Sequence, residues 1–457
     1  MNDSLSDAVE TALGASQPEA TGQQHDAAKP HRKKRVDHHL WGTYILLTLV
    51  ALIELFSASI QEVSNNEIFG PIIRHGRFIA AGLVLMLILQ AIHYRIVYRF
   101  IPLFVLGCFG LMLAVKFGGH SINGAVRAIE IGGVPILPAE FMKLGAAMGM
   151  AYILTKTQLE NKRDVSWGGA VAAVIFMIAC CWLLFEHGLS NTIVVVAICF
   201  SMMLVGGMGL KKFGIILLFF GLVGGVAIKV KTSVKENVEL TDTQRQALIL
   251  NHESTDVSAA SGRGETWRNR IARHFRSDKF NDTLGPDNQQ ELLSYVAQAH
   301  GGIIGVGPGK SRENARLPLA FSDYVFAIIV EEGGLLGGLA ILAVYMWILG
   351  RSAKLTVSFR HTMPGTLVMG CAFVIVFQAL FHMAIVTGVV PVSGQPLPLI
   401  SKGGISVLAT SLAFGIMLSV SRHAARVSDS KAAQRSEMEI LPENARSVNP
   451  VMSGNVE

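Results

Sequence analysis

Ten long apolar runs, separated by short charged clusters, dominate this chain of 457 residues. A helix needs roughly 20 mainly apolar residues to cross a bilayer, and each run approaches that length. The runs cover residues 40–60, 77–93, 99–118, 138–155, 168–185, 190–207, 213–230, 323–349, 364–387 and 403–421. Only 16% of the residues are charged, whereas water-soluble proteins carry about 25%. The pattern predicts an all-α integral membrane protein with about ten transmembrane helices, and it excludes a soluble enzyme, a collagen and a disordered chain.

The basic residues are distributed unevenly between the two sides of the predicted membrane domain. Most lie in the run KPHRKKR before the first span and in alternate connections after it. Cytoplasmic segments carry such an excess of Lys and Arg, so both termini are predicted to be cytoplasmic. The net charge of +6 then reflects topology, and no nucleic-acid partner is expected. The expected domains are a disordered basic tail (1–39), a polytopic membrane domain (40–425) and a cytoplasmic tail (426–457).

One connection, residues 231–322, is much longer than the others and falls on the outer face by the same parity. Loops of this length are usually functional or disordered. Inside it, Trp267, Ile271 and Phe275 recur at helical spacing. The arginines between and beside them are Arg268, Arg270, Arg273 and Arg276. The pattern predicts a basic amphipathic helix, which either lies on the membrane surface against anionic head groups or packs on a small core of the loop itself.

A second helix is predicted over QQELLSYVAQAH, and the glycine run GGIIGVGPGK follows it. A nucleotide-binding glycine loop follows a strand and precedes a helix, so this run does not indicate a P-loop or a Rossmann site. All five cysteines lie within apolar runs. Neither a disulfide framework nor a thiolate metal site is therefore expected.

Ionisable residues in or beside apolar runs are costly, and they mark candidate sites. Arg127 lies in an outer connection, while Glu140 and Lys143 open the fourth span three residues apart. On a helix this spacing lets the two side chains pair. Two interpretations stay open: Glu140 and Lys143 form an internal ion pair that lowers the cost of entering the bilayer, or Arg127 and Lys143 bind an anionic lipid head group.

Asp323 stands at the outer end of the eighth span, with Glu331 and Glu332 about two turns deeper. Partial desolvation suits a carboxylate to proton abstraction, but Asp323 could equally cap the helix N-terminus. Adjacent residues on a helix point about 100 degrees apart. Glu331 and Glu332 are therefore expected to face different partners.

The outer loop TGVVPVSGQPLPLISKGGISVL precedes the last span and contains three prolines. Irregular backbone at membrane depth must be buried in protein or line a cavity. The loop is therefore predicted to be re-entrant or tightly folded, with a rigid connector as the simpler alternative. Between the fifth and sixth spans, Glu186 and His187 are the strongly polar residues of EHGLSNT, and no role is assigned to them.

These stretches, in this order, resemble the SEDS family (shape, elongation, division and sporulation), which FtsW and RodA typify. The matching motifs are NGAxRxI, PAEFxKL, GGxxGVGxGxS, LPxAxSDYxFAxxxEExGxxGG and GxxPVxGxPLPxISxGGxSxL. The resemblance covers roughly residues 40–425. The combination of motifs is much more specific than any one of them.

The resemblance implies a ten-helix glycosyltransferase that polymerises lipid II into glycan strands at the outer face of the bacterial cytoplasmic membrane. It also implies a class B penicillin-binding protein as partner. The charged N-terminal extension and the C-terminal tail are more similar to FtsW, which predicts a role in division together with other division-machinery membrane proteins. The alternatives are a flippase for lipid-linked precursors and a non-catalytic scaffold that activates a penicillin-binding protein.

The resemblance also assigns roles to residues. Asp323 corresponds to the family's essential acidic residue and is the expected general base. Arg127 and Lys143 are expected to hold the pyrophosphate of the polyprenyl donor, with Glu140 as the acid of the same motif.

Two arginines of the long loop, Arg268 and Arg270, are secondary candidates for substrate binding, and Ser401 belongs to the matched ISxGG motif. Membrane lipid is a further expected partner. A divalent cation is a candidate at the pyrophosphate, although the sequence shows no cluster of metal ligands.

The chain departs from the family pattern at several of these motifs. Ala128 replaces a Trp, Leu319 and Phe321 replace a Glu and a His, Lys402 replaces a Tyr, and EHGLSNT stands where the family has QPDLGT. These changes fall on expected substrate contacts and keep the scaffold alternative open.

Overall fold

The computed structural model describes residues 36–62, 70–118, 120–122, 125–131, 134–159, 164–185, 187–222, 270–276, 285, 288–317, 320–424 and 441. Most of the predicted N-terminal tail, most of the long 231–322 loop and nearly all of the C-terminal tail lie outside these residues. The described part is mostly helical. Its helices are α1 His38–Glu62, α2 Gly70–Ala91, α3 Tyr94–Gly118, α4 Pro138–Lys156, α5 Trp167–Phe185, α6 Leu189–Val205, α7 210–222, α8 Gln289–Gly301, α9 Ala320–Asp323, α10 Val325–Ser358, α11 Thr362–Val386 and α12 Gly404–His423.

Each of the ten apolar windows overlaps one of these helices, with residues 223–230 of the seventh window outside the described residues. The helix predicted over QQELLSYVAQAH is α8. Among the described residues, six helices are long and apolar enough to cross a membrane, namely α1, α3, α5, α10, α11 and α12. The chain is thus a multi-pass helical membrane protein. Because α2, α4, α6 and α7 are shorter or more polar, a total of ten spans stays a prediction.

The all-α prediction missed a small antiparallel sheet between α3 and α4. Its strands, β1 His120–Ile122, β2 Ala125–Ile131 and β3 Val134–Ile136, pair in the order β1-β2-β3. The sequence places Asn-Gly and Gly-Gly between the strands, and these dipeptides favour two-residue hairpin turns. The strands are too short to give a strong period-two pattern of apolar residues. For this reason the sequence predicted only an outer connection here.

Helix α4 occupies the centre of the bundle and packs against α3, α5, α6 and α11. Nearly all of its side chains are buried, and most are Gly, Ala or Met. Small residues let neighbouring helices approach closely within a membrane. A Cβ on Gly145 would lie 3.2 Å from Cys108 Sγ, and one on Gly149 would overlap the Phe176 ring. The composition of α4 therefore fixes its central position.

Helix α10 is interrupted at Gly334, where φ is 69° and ψ is −174°. The glycine loop that follows α8, residues 301–307, fills the gap with backbone hydrogen bonds. Its N–H groups at Val306 and Gly307 donate to the carbonyls of Glu331 and Glu332, and the N–H of Leu335 donates to Gly302. Broken helices persist at membrane depth only when neighbours satisfy the freed backbone groups, and this loop does so.

The glycines of this loop therefore allow its backbone to lie in close contact with the backbone of α10. A Cβ on Gly301 would lie 2.1 Å from the carbonyl oxygen of Val330, and one on Gly305 would lie 2.2 Å from that of Glu332. No side chain other than hydrogen fits at these distances. The prediction that the run is not a nucleotide site agrees with this packing.

We expect Gly334→Ala to lower the thermal unfolding midpoint markedly, because an alanine there would adopt a positive φ and place its Cβ 2.2 Å from the Ile303 carbonyl oxygen. The positive φ alone costs about 1–3 kcal/mol. The matched control is Gly337→Ala, one turn further along α10, where a Cβ would meet its nearest atom at 3.6 Å. Equal midpoints for the two variants in detergent would show that the Gly334 break is not needed for the fold.

Glu331 and Glu332 face different partners, as their spacing predicts. Glu331 is completely buried and accepts hydrogen bonds from Ser311 Oγ and from the backbone N–H of Arg312 (2.9 Å), with His300 Nδ1 at 2.8 Å. Glu332 Oε1 instead accepts a hydrogen bond from Ser57 of α1 at 2.5 Å. The two carboxylates thus join α10 to the loop on one side and to α1 on the other.

An ion pair joins the start of α1 to α10. Asp37 Oδ1 accepts hydrogen bonds from the N–H groups of His39 and Leu40, and Oδ2 lies 2.9 Å from Arg351 Nε and 2.6 Å from Arg351 Nη2. Burial acts to raise the pKa of Asp37, but these hydrogen bonds and the Arg351 charge outweigh it and hold the pKa below its ordinary value of 3.8.

Because the folded-state pKa of Asp37 is depressed, its stabilisation should be fully present above about pH 4 and be lost as the pH falls through the folded-state value. Asp37→Asn keeps a good helix N-cap and removes only the charge. We expect this variant to unfold several degrees below wild type at neutral pH and at the same temperature well below pH 4. A thermal unfolding gap that persists in acid would contradict the ion-pair explanation.

Candidate functional site

The loop between α11 and α12 is folded tightly into one end of the bundle. Residues 391–402, called the proline loop below, bury most of their side chains; the buried ones include Ser393, Gln395, Leu397, Leu399, Ile400 and Ser401. Leu399 has a φ of 66°, which costs about 1–3 kcal/mol and persists only when its surroundings impose it. The prediction of a tightly folded loop is confirmed.

Hydrogen bonds from the surrounding elements hold the proline loop in place. They are Tyr345 Oη to Pro398 O (2.5 Å), Gln378 Nε2 to Pro396 O (3.0 Å), Gln395 Nε2 to Asn191 Oδ1 (2.9 Å), Lys402 N to Phe321 O (2.8 Å), Arg270 Nη1 to Val392 O (3.3 Å), and the contact of His382 Nδ1 with Gln395 O (2.6 Å). The partners come from α6, α9, α10, α11 and the helical turn at 270–274. The loop is therefore a rigid part of the site.

Asp323, the expected general base, is the last residue of α9 and is partly exposed. Its Oδ1 accepts a hydrogen bond from Ser322 Oγ at 2.8 Å. Its Oδ2 lies against Gly394 of the proline loop, where an added Cβ would be only 2.7 Å away. The residue at the N-cap position of α10 is Tyr324, not Asp323. The carboxylate is thus held at the surface of the proline loop.

Besides Asp323, the charged residues Glu291 and Arg270 lie near Tyr324. Burial raises the pKa of the Tyr324 hydroxyl, the carboxylates of Glu291 and Asp323 raise it further, and the Arg270 guanidinium acts in the opposite direction. Arg270 offsets less of this rise in pKa than either carboxylate adds. Arg270 contacts Val392 and Asp323 lies against Gly394, so a cation and the candidate base both adjoin the proline loop.

A partly open cleft of about 80 Å³ lies beside the proline loop. Its walls are Leu137, Ala139, Glu140, His187, Gly188, Ser190, Asn191, Arg270, Ser393, Gly394, Gln395 and Pro396. Both α4 and α6 begin at this cleft, and neither has a side-chain cap at its N-terminus. Uncapped helix N-termini present backbone N–H groups and a positive partial charge. This argument holds for α6, whereas α4 begins with Pro138, which has no N–H, and carries Glu140 in its first turn. The N-terminus of α6 and the Arg270 guanidinium are therefore the groups at this cleft that can face an anion.

Glu140 and Lys143 form a closed polar cluster at the base of the cleft. Lys143 is fully buried, and its Nζ donates to Glu140 Oε1 and to Gln378 Oε1, both at 2.7 Å. Gln378 Nε2 in turn lies 3.2 Å from Glu140 Oε2 and donates to Pro396 of the proline loop. The geometry is that of an internal ion pair connected to the loop. Direct binding of a lipid head group by Lys143 stays a prediction.

The remaining candidate residues are Ser401, Arg127 and Arg268. Ser401 Oγ accepts the Leu397 N–H at 2.7 Å and so closes a turn inside the proline loop. Arg127 lies on β2, and the structure does not describe its side chain. Arg268 lies outside the described residues, as does Trp267 of the amphipathic pattern. The structure brings Glu140, Arg270 and Asp323 to the proline loop, with Lys143 behind them.

Sequence reasoning missed several polar residues of the site. Gln378 is the partner of Lys143, and Asn191, Gln395 and Ser190 fix the loop through pairs that join α6 to it, Ser190 by contacting Ser393. Gln378 had a usable signal, because a single amide within the apolar run VIVFQALF is costly unless it has partners. For the others no local pattern distinguishes a buried partner from a loop residue.

The donors at the cleft do not form a ligand set for the candidate divalent cation. In the parts of the chain described here, no three or more His, Cys, Asp or Glu side chains stand together, and the Glu140 carboxylate is already engaged by Lys143 and Gln378. All five cysteines are unpaired thiols within helices.

Taken together, these features define a multi-pass helical membrane protein with a polar site built around a rigid loop at one end of its bundle. The chain belongs to the cell cycle protein family of FtsW, RodA and SpoVE, whose sequence model matches residues 37–426. The resemblance to SEDS proteins is thereby confirmed.

Among curated relatives, the chain is 26% identical to the "Probable peptidoglycan glycosyltransferase FtsW" of Hahella chejuensis, over 87% of this chain and 93% of that protein. It is also 26% identical to the stage V sporulation protein E of Bacillus subtilis, over 83% of this chain and 95% of that protein. Both alignments span nearly the whole relative, so the likeness concerns the complete membrane domain.

Solved structures share the fold. A chain of a peptidoglycan synthase complex superposes with a TM-score of 0.60 at 22% identity, covering 86% of this chain and 99% of that one. The rod shape determining protein RodA of Thermus thermophilus gives a TM-score of 0.56 at 21% identity, covering 86% and 98%. At these identities the comparison establishes the membrane fold alone.

Proposed function

We propose that this protein is a peptidoglycan glycosyltransferase that polymerises lipid II into glycan strands, in cell division. The relatives named FtsW support the reaction. The observation that carries it is the position of Asp323, whose carboxylate lies against Gly394 at the edge of the anion-accepting cleft. A base next to a site for a departing pyrophosphate is the arrangement that sugar transfer from a lipid-linked donor needs.

In the proposed reaction, the acceptor sugar hydroxyl attacks the anomeric carbon of the donor while Asp323 takes its proton. The bond from that carbon to the pyrophosphate oxygen breaks, and the polyprenyl pyrophosphate leaves with the electron pair. Arg270 and the N-terminus of α6 stabilise the negative charge that develops on the leaving group. Asp323 thus accepts the proton of the acceptor hydroxyl, and the positive groups of the cleft stabilise the charge on the departing pyrophosphate.

The remaining candidates act around this centre. Arg127 and Arg268 are expected to add positive charge for binding the pyrophosphate. Glu140 and Lys143 hold the proline loop, and Ser401 shapes it.

The topology that fits this reaction has ten spans, cytoplasmic tails at both ends and the 231–322 loop on the outer face of the bacterial cytoplasmic membrane. The site then opens towards lipid II in the outer leaflet. A class B penicillin-binding protein supplies the transpeptidase and other division proteins bind nearby; the fold shared with a chain of a peptidoglycan synthase complex supports such a partner.

The test is polymerisation of labelled lipid II by the purified full chain together with its co-encoded class B penicillin-binding protein. We expect glycan ladders on a gel, with the partner's own transpeptidase blocked by a β-lactam. A chain that binds lipid II without making ladders would support the scaffold, and movement of lipid II across liposomes without ladders would support the flippase. Either result would overturn the glycosyltransferase proposal.

A further inference from the structure

A second cavity lies beside α8. Its volume is about 470 Å³, which is within the range of ligand pockets. It is lined by Val296 and His300 of α8 and by Ser311, Arg312, Glu313 and Arg316 of the segment that follows. None of these residues lines the cleft at the proline loop, and the proposed reaction does not use them.

The exposed charged side chains of this second cavity are cationic. Arg312 is exposed, and the side chain of Arg316 is 71% exposed with its Nη1 3.7 Å from Glu313 Oε1. Lys310, also exposed, lies two residues before Arg312. Guanidinium groups bind phosphate oxygens through paired, charge-assisted hydrogen bonds. The carboxylates of Glu313 and Glu331 are buried, whereas both guanidinium groups are exposed and accessible to a phosphate.

Hydrogen bonds to a buried carboxylate of α10 hold the residues that line this second cavity in place. Glu331 of α10 is fully buried and binds Ser311, the Arg312 backbone N–H and His300 at the same time. These contacts fix α8 and the following segment relative to each other. The cavity is therefore organised before any ligand enters, which lowers the cost of binding.

The depth of the cavity follows from the length of α10. The part of α10 that follows the break at Gly334, residues 335–358, is about 36 Å long at 1.5 Å per residue, against a hydrocarbon core of about 30 Å. This part is long enough to cross the core by itself. The shorter part before the break, which contains Glu331, would then lie at the level of the phosphates of a lipid leaflet, and the cavity with it.

An exposed apolar surface continues from the cavity towards the bilayer core. Ile303 and Ile304 of the glycine loop are 67% and 80% exposed, and Leu335 and Leu336 of α10 are also exposed. The two pairs are adjacent, since the N–H of Leu336 donates to the Ile303 carbonyl at 3.2 Å. Acyl chains would lie on this surface while the phosphate occupies the cavity.

We propose that this second cavity binds the phosphate of an anionic phospholipid, with Arg312 and Arg316 on the phosphate and Ile303, Ile304 and Leu335 against the acyl chains. A soluble anion would gain nothing from the exposed apolar residues, whereas a lipid uses both parts of the surface. The site is separate from the one for lipid II, and it would hold a structural lipid beside α8.

The test is native mass spectrometry of the full chain exchanged into micelles that contain phosphatidylglycerol or phosphatidylcholine. We expect wild type to retain phosphatidylglycerol preferentially, and the double variant Arg312→Gln/Arg316→Gln to retain it about tenfold less. The matched control is Lys211→Gln/Lys354→Gln, which removes two exposed cations elsewhere and should leave retention unchanged. Thermal unfolding checks that each variant is folded.

A second variant tests the cavity without changing its charge. Val296→Trp should fill part of the cavity and lower phosphatidylglycerol retention as the arginine double variant does. If the arginine double variant fails to fold, Val296→Trp tests the proposal instead. Equal retention by wild type and the variants would overturn the proposal. So would complete displacement of the lipid by inorganic phosphate, which would indicate a site for soluble anions. Lipid retention is measured without glycan synthesis, so this result does not depend on the proposed function.

Discussion

Replacing Asp323 by asparagine should reduce the polymerisation of lipid II by at least about a hundredfold, the usual contribution of a general base. Asparagine is nearly the same size as aspartate and can still accept the hydrogen bond from Ser322 Oγ through its amide oxygen. It cannot take the proton of the acceptor hydroxyl. The measurement is the rate at which labelled lipid II enters glycan ladders, with lipid II binding and the thermal unfolding midpoint expected to stay near wild type.

Two controls separate proton transfer from local packing. Ser322→Ala removes the hydrogen bond to Asp323 but leaves the carboxylate, so it should cost little activity. Asp164→Asn makes the same chemical change in the connection between α4 and α5, where Asp164 pairs with Lys212, and it should leave polymerisation unchanged. Full activity in Asp323→Asn would show that another group is the base.

The second large effect is expected from Lys143→Met, which should destabilise the protein by about 3–5 kcal/mol. The substitution leaves Glu140 charged and buried without its cation, and it removes the donor to Gln378. Because Gln378 also holds Pro396, the proline loop should loosen. The unfolding midpoint in detergent and the proteolysis rate of the loop measure the two consequences.

The double variant Glu140→Gln/Lys143→Met distinguishes the two interpretations of this pair. It removes both charges, and uncharged groups of similar volume often replace a buried ion pair without loss of stability. Recovered stability with recovered polymerisation would assign the pair a purely internal role. Recovered stability with no polymerisation would show that at least one charge of the pair acts on the substrate.

The order and bounds of the helices could be predicted because apolar length is a local property, and a run such as 364–387 differs by only a residue or two from α11. The tightly folded proline loop could be predicted for a similar reason, since three prolines within twelve residues cannot continue a helix. The pairing of Glu140 with Lys143 follows directly from their spacing on α4.

What could not be predicted depends on residues far apart in the chain. The third member of the buried cluster, Gln378, is 235 positions from Lys143, and no spacing rule connects them. The contact of Gly305 with Gly334 required knowing that α10 is interrupted. Asp323 was proposed as the base from a motif, but its position against Gly394 follows from the fold of a loop that comes seventy residues later.

The position of the proline loop also has a consequence for biogenesis. The loop directly precedes α12, the last of the described helices, yet its partners on α6 and α10 are synthesised much earlier. The ribosome must therefore deliver almost the entire chain to the membrane before Asp323 has its neighbour Gly394. Every shorter insertion intermediate lacks the assembled site, so the growing polypeptide cannot act on its substrate until insertion is nearly complete.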